Sequence, residues 1–181
     1  MATPKLYMDS IQSCYLKEFS AKITNIEENT IELDQTLFYP MGGGQDWDQG
    51  KIKSNGKEID VLEVRGRDKI SHLIEPNHNL EIGQTIEGYL DWDRRYRHMK
   101  MHTAQHLVSA VAYELFDGVR TVGNQLRYDK SRIDFNPINF DDEMLSNLVN
   151  ETNNLIRKGA ELNIKMMTRE EINDCLLYTS D

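Results

Sequence analysis

The 181-residue chain lacks the features that would tie it to an oxidising compartment, a membrane or unspecific nucleic-acid binding. Its two cysteines, Cys14 and Cys175, lie far apart, and no secretory signal precedes them, so we expect a cytoplasmic protein. There is no stretch of about 18 apolar residues, the length of a membrane-spanning helix, so no membrane partner is expected. A formal net charge of −9 argues against a protein that coats DNA. The remaining composition, 39% hydrophobic and 28% charged, is that of a globular protein.

Short stretches of alternating apolar and polar residues occupy the first half of the chain and predict β-strands. Segments 21–27, 31–33 and 85–92 fit this pattern. Segment 52–64 contains the pair Asn55-Gly56, which favours a hairpin because both turn residues adopt positive φ readily. Many short strands within about ninety residues predict a small antiparallel β-barrel.

The pattern changes near residue 92. Asp93 is a plausible N-cap, and apolar residues at helical spacing predict a helix that runs to about residue 116. Gly118 then suits the left-handed conformation that often follows a helix.

Strands and helices alternate in the rest of the chain. The patterns predict a strand over 127–135, a helix from Asp141 or Asp142 to Gly159, a strand over 162–167 and a short helix opened by a capping box at 168–171. The apolar stripe of the second long helix consists of Leu145, Leu148, Leu155 and Ile156. The predicted fold class is therefore α+β, with a β-barrel domain over 1–92 followed by an α+β domain over 93–181.

Three histidines stand four residues apart on the predicted helix. His98 and His106 would lie about 12 Å apart along the helix axis, too far to share one ion. The spacing therefore leaves two metal pairs open, His98 with His102 and His102 with His106. Ordinary helix-face histidines are the alternative, and a zinc protease is disfavoured because no glutamate follows the first histidine of either pair.

Three consecutive glycines, Gly42, Gly43 and Gly44, precede Gln45 in the most unusual stretch of the chain. Glycine lets the backbone approach a ligand closely. The stretch matches neither a phosphate-binding P-loop nor a dinucleotide fingerprint. A tight loop at the end of a barrel strand is the alternative to a binding loop.

The start of the predicted helix carries the densest group of cations in this acidic chain: Arg94, Arg95, Arg97 and Lys100. They are candidates for nucleic-acid binding, and a solvated helix face is the alternative.

Four stretches of the chain, in the same order, resemble the family of alanyl-tRNA editing proteins, which is similar to the editing domain of alanyl-tRNA synthetase. They are 33–45 with the glycine run, 91–99 with Asp-Trp-Asp-Arg-Arg, 102–107 with His-Thr-Ala-Gln-His-Leu and 132–135 with Arg-Ile-Asp-Phe. The resemblance implies an N-terminal barrel like those of translation factors, followed by an α+β editing domain. It also implies hydrolysis, at a zinc ion, of serine wrongly attached to tRNA(Ala), with glycine as an open alternative.

The resemblance also assigns roles to individual residues. It implies His102 and His106 as zinc ligands and Gln105 as a catalytic residue. It implies Thr121, and as a weaker candidate Asn124, as the residues that recognise the substrate side chain. The glycine run with Gln45 is a motif of the family.

One family feature has no match in this chain. Family members complete the zinc site with Cys-x-x-x-His, whereas Cys175 is followed four residues later by Thr179. His72 and His78 precede the metal helix and do not match either. We therefore expect the C-terminal part of the metal site to be absent from this chain.

Two other functions remain open at this stage. One is a tRNA-binding module that has lost catalysis. The other is a threonyl-type editing domain, which would need no such zinc site and which the glycine run disfavours.

Overall fold

A computed structural model describes residues 2–159, 161, 167, 168, 170 and 171. The chain divides into two compact units, Met1–His98 and Met99–Asp181. The expected strand at 162–167, apart from its last residue, and Cys175 lie outside the described residues.

The first unit is built around a closed six-stranded antiparallel barrel, with the neighbour order β1-β2-β5-β4-β3-β6 and β6 paired back to β1. Its strands are β1 Glu18–Glu27, β2 Thr30–Leu33, β3 Gly50–Ser54, β4 Lys57–Arg65, β5 Ser71–Ile74 and β6 Thr85–Leu90. Two short 3-10 helices, Leu6–Met8 and Gln12–Tyr15, precede the barrel. Together with two long helices and a second, two-stranded sheet, the barrel confirms the predicted α+β fold class.

Buried and exposed residues alternate along the strands, and the buried side chains fill the barrel interior. In β6 every second residue is buried, and the same period places one apolar row of each strand inside. The largest fully buried residues of this core include Ile23, Ile31, Phe38, Ile52, Ile74 and Ile86. Because the sheet closes on itself, no strand edge is left for pairing with another chain.

The predicted hairpin joins β3 to β4. Asn55 and Gly56 have φ values of 49° and 77°, as the Asn-Gly pair predicted. Strand β6, by contrast, ends at Leu90 and not at the expected residue 92, because Trp92 is already the first residue of a helix.

That helix, α1, spans Trp92–Leu115. Its capping side chain is Asp91, whose Oδ1 accepts a hydrogen bond from the amide of Arg94 at 3.1 Å. The N-cap predicted at Asp93 was therefore wrong: an N-cap accepts from an amide two or three residues ahead, and the helix had already begun. Beyond the helix, Gly118 has a φ of 77° and its amide donates to the carbonyl of Tyr113 at 2.9 Å.

The second unit contains an antiparallel pair of strands, β7 Arg120–Leu126 and β8 Ser131–Asn136. The single strand predicted at 127–135 was wrong in its first half, because residues 127–130 form the connection between the strands. Polar residues and Gly123 weaken the alternation of β7, which explains why the sequence pattern did not indicate it.

Helix α2 spans Asp142–Lys158, and the side chain of Asp141 caps it by accepting from the amide of Met144 at 2.8 Å. The predicted capping box is also present, since Thr168 and Glu171 exchange side-chain to backbone hydrogen bonds of 2.7 and 3.3 Å. Within the part of the chain that is described, no helix combines the length and the apolar character needed to cross a membrane.

Among the described residues of the second unit, the buried core is small. Val111, Ala112, Val119 and Leu148 are buried, and aromatic residues including Phe116, Phe135 and Phe140 pack against them. Of the apolar stripe predicted on α2 only Leu148 is buried; the other three members are exposed. Periodicity identified the apolar face but could not tell how much of it other described residues cover.

Candidate functional site

One face of helix α1 collects the polar residues of the candidate site. His102, Gln105, His106 and Ser109 follow one another at steps of three, one and three residues, a spacing that aligns them on one side of a helix. All four belong to the second unit. A single rigid element therefore sets their mutual positions.

The two histidines of this face lie side by side. Their ring centroids are 5.1 Å apart and the ring planes differ by 20°, so the imidazoles are stacked. Neutral imidazole is a preferred zinc ligand, but zinc sites in proteins take three or four protein ligands. Among the described residues no group of three or more His, Cys, Asp or Glu side chains could hold one metal ion. His102 and His106 thus fit zinc as part of a ligand set.

His98 has a different environment in the first unit. Its side chain is fully buried, and neither ring nitrogen finds a hydrogen-bond partner among the described residues. Burial lowers the pKa of His98, and the nearby Arg94 cation lowers it further. Of the two pairs left open by the spacing, the stacked arrangement belongs to His102 and His106.

Gln105, Ser109 and Thr121 form a compact hydrogen-bond cluster in the second unit. The Nε2 of Gln105 donates to the Oγ of Ser109 at 3.0 Å, and this Oγ lies 2.6 Å from the Oγ1 of Thr121. The Oγ of Ser109 also donates back to the carbonyl of Gln105 at 2.9 Å. The Oε1 of Gln105 is buried with no partner among the described residues. A buried acceptor without a hydrogen-bond partner costs about 1–3 kcal/mol.

Thr121 lies near the start of strand β7. The pairing of β7 with β8 shifts register between Thr121 and Gly123, so Val122 occupies a β-bulge. Bulges redirect neighbouring side chains and are common beside functional sites. Asn124, the weaker candidate, lies three residues further along β7 opposite Ile133.

Ser109 is the site residue that sequence reasoning missed. Its spacing could have indicated it: Ser109 follows His102 by seven residues and His106 by three, which places it on the same helix face. It was not used because a serine within a helix resembles any other small polar residue, and only the fold brings Thr121 to it.

The glycine stretch forms a closed turn in the first unit. Gly42 and Gln45 exchange backbone hydrogen bonds of 3.1 and 2.9 Å, and the two central residues, Gly43 and Gly44, have φ values of 56° and 74°. Two successive positive φ angles are what a type I′ turn requires, which explains two of the three glycines. This geometry has the form of the tight loop that the sequence left as the alternative to a binding loop.

Arg95 is buried in the first unit instead of lying on the surface. Its Nε donates to both carboxylate oxygens of Asp48, at 3.1 and 2.9 Å, and its Nη2 donates to Asp48 and to the carbonyl of Leu37, each at 2.5 Å. Asp48 in turn accepts from the amide of Tyr39 at 2.7 Å. The pair ties helix α1 to the segment that carries the glycines, so Arg95 is not an exposed cation available to a tRNA.

The other cations of this stretch differ in exposure. Arg97 and Lys100 are exposed on α1. Arg94 is half-buried, and its Nε donates to the carbonyl of Trp47 at 3.0 Å. Of the four cations that the sequence suggested for nucleic-acid binding, two are therefore exposed.

Comparison with known proteins identifies the relatives of this chain. The family model of class II (A) tRNA synthetases matches residues 7–94. The alanyl-tRNA editing protein AlaX-M of Saccharolobus solfataricus is 42% identical over an alignment of 172 residues, which covers 93% of this chain and 70% of that protein. The AlaX-M protein of Methanosarcina barkeri is 39% identical over 170 residues, 90% of this chain and 70% of that protein.

The chain is also similar to part of a much larger enzyme. The alanine–tRNA ligase of Thermococcus kodakarensis is 34% identical over 160 residues, which cover 87% of this chain but 17% of the ligase. The match to these two AlaX-M proteins extends over 70% of the length of each. The chain therefore belongs to the family of alanyl-tRNA editing proteins.

Proposed function

We propose that this protein hydrolyses the ester bond of serine wrongly attached to tRNA(Ala). Membership of the editing-protein family supports tRNA(Ala) as the partner. The observation that carries the proposal is the single face of α1 that holds His102, Gln105, His106 and Ser109, with Thr121 hydrogen-bonded to it. Two imidazoles beside a cluster of neutral hydrogen-bonding groups are suited to an ester substrate with a small polar side chain.

The need for such a reaction follows from the limits of binding selectivity. A synthetase pocket shaped for alanine cannot strongly reject serine, which only adds a hydroxyl, and such discrimination reaches about 10–200-fold. A second site that hydrolyses the wrong product corrects the remaining errors. This site must read the hydroxyl that distinguishes serine from alanine.

His102 and His106 would hold zinc, together with further ligands. Bound zinc can polarise the ester carbonyl or lower the pKa of a bound water towards neutrality. Two further residues of the chain are proposed to position and recognise the substrate. Gln105 holds Ser109 in place through its Nε2, and the hydroxyl of Thr121 faces the substrate side chain.

The first experiment measures deacylation of tRNA(Ala) carrying serine, glycine or alanine. We expect hydrolysis of the seryl ester and protection of the alanyl ester. Thr121→Val keeps the shape of the side chain but removes one hydrogen bond, which is worth about 0.5–1.5 kcal/mol, so the serine-to-alanine rate ratio should fall by up to roughly tenfold. Thr24→Val, the same change at an exposed residue of the barrel strand β1, is the matched control and should leave the ratio unchanged.

The second experiment measures bound zinc by elemental analysis after dialysis. In a protein that carries the complete ligand set, His102→Ala and His106→Ala should each lower the zinc content, because each removes one ligand, whereas His78→Ala in the first unit should not. A zinc content that does not depend on either histidine would contradict their assignment. The alternative retained from the sequence, a tRNA-binding module without catalysis, predicts tRNA binding with no deacylation and no requirement for zinc.

A further inference from the structure

The Oγ of Ser109 has three hydrogen-bonding neighbours. The carbonyl oxygen of Gln105 lies at 2.9 Å, the Nε2 of the same residue at 3.0 Å and the Oγ1 of Thr121 at 2.6 Å. A hydroxyl carries one proton and two lone pairs, so three neighbours use all of its capacity.

The chemistry of these neighbours fixes where each proton lies. A carbonyl oxygen can only accept, so it takes the single proton of Ser109; otherwise two oxygen lone pairs would face each other at 2.9 Å. The amide nitrogen of Gln105 can only donate, and it fills one lone pair of Ser109. The remaining lone pair faces Thr121, which must therefore be the donor of the 2.6 Å bond.

The consequence falls on Thr121. Its only proton is committed to Ser109, and its own lone pairs remain for another partner. Thr121 can accept a hydrogen bond from a substrate but cannot donate one. Because Thr121 is only half-buried at the bulged end of β7, a small side chain can approach it.

We propose that Ser109 is a positioning residue that sets Thr121 as a hydrogen-bond acceptor, so that the site selects aminoacyl groups whose side chain ends in a donor. This inference rests on the proposed function, because it concerns the same substrate. It ranks serine, whose hydroxyl donates, above glycine and alanine, which have no donor in the side chain. It also excludes a preference for side chains that can only accept.

The test uses non-hydrolysable analogues in which serine, O-methylserine or alanine is joined to 3′-amino-3′-deoxyadenosine by an amide bond. Binding is measured by calorimetry on the whole chain, so the readout does not depend on hydrolysis. The wild-type protein should bind the seryl analogue more tightly than the other two. The O-methyl ether can accept but not donate, so it should gain nothing from Thr121.

Ser109→Ala is the decisive variant. Alanine is favourable in a helix, so folding should be retained and can be checked by circular dichroism. The proton of Thr121 is then released, and the residue can turn to donate to the ether oxygen. The preference for the seryl over the O-methylseryl analogue should fall several-fold, and by no more than roughly tenfold for one hydrogen bond. Ser109→Thr keeps the hydroxyl and should restore the preference.

A double-variant comparison separates positioning from a merely structural role. In a Thr121→Val background, Ser109→Ala should leave the preference between the two analogues unchanged, because the group that Ser109 orients is gone. The positioning role is refuted if Ser109→Ala alters the preference equally in both backgrounds. It is also refuted if Ser109→Ala alters the preference in neither background while Thr121→Val does alter it. In both cases the proposed function stands. If the wild-type protein binds seryl and alanyl analogues equally, the proposed reading of serine itself is wrong.

Discussion

Replacing Asp48 by alanine tests how strongly the first unit depends on its buried ion pair. The side chains of Asp48 and Arg95 are 1% and 5% exposed, and three hydrogen bonds join them. Loss of the carboxylate leaves the guanidinium buried without a counter-charge and removes the acceptor of the Tyr39 amide. Breaking a buried pair in this way costs about 3–5 kcal/mol of the free energy of unfolding.

Urea unfolding measures this cost. With a denaturant slope near 2 kcal/mol per molar, the midpoint should fall by about 2 M. Glu58→Ala provides the matched control, because Glu58 pairs with Lys51 at 3.1 Å on the surface, where the side chains are 55% and 53% exposed. An exposed pair contributes about 0–1 kcal/mol, so the control midpoint should change little.

A second variant separates charge from shape. The double replacement Asp48→Leu with Arg95→Met removes both charges and keeps apolar volume, so it should unfold at a higher urea concentration than Asp48→Ala. The reasoning is refuted if Asp48→Ala costs no more than Glu58→Ala. It is also refuted if the double replacement is as destabilising as the sum of the two single replacements.

Two further predictions concern pH and salt. Burial lowers the pKa of His72 to about 4, below the ordinary value of about 6.5, so the unfolded chain takes up a proton on this imidazole more readily than the folded chain. As the pH is lowered from about 6.5 to 4, the free energy of unfolding should therefore fall by about 1.4 kcal/mol per pH unit. Between pH 7 and pH 4.5 the His72→Gln variant should lose less of this free energy than the wild-type protein, and equal losses would count against the argument. Arg97→Glu with Lys100→Glu should weaken tRNA binding and reduce its salt dependence, because fewer counterions are released. Lys53→Glu on the barrel is the control. If the double replacement leaves the salt dependence unchanged, Arg97 and Lys100 are ordinary solvated surface residues.

The sequence by itself determined the elements with strong local signals. Alternating residues and the Asn55-Gly56 pair specified barrel strands and a hairpin, and the spacing of histidines placed the candidate ligands on one helix face. These features depend on period and turn chemistry, which are local properties of the chain. Strand β7 escaped prediction because its polar residues and Gly123 give no clear alternation.

Only the tertiary structure decided which side chains meet. Arg95 and Asp48 are 47 residues apart, and nothing local distinguishes this arginine from the exposed Arg97 two residues later. Ser109 and Thr121 likewise belong to different elements, and they meet because strand β7 lies next to helix α1. The direction of a side chain on a helix follows from the period of the helix, but the group that faces it is set by the packing of distant segments. For this reason the sequence predicted that the histidines share one helix face, whereas it did not predict the contact between Ser109 and Thr121.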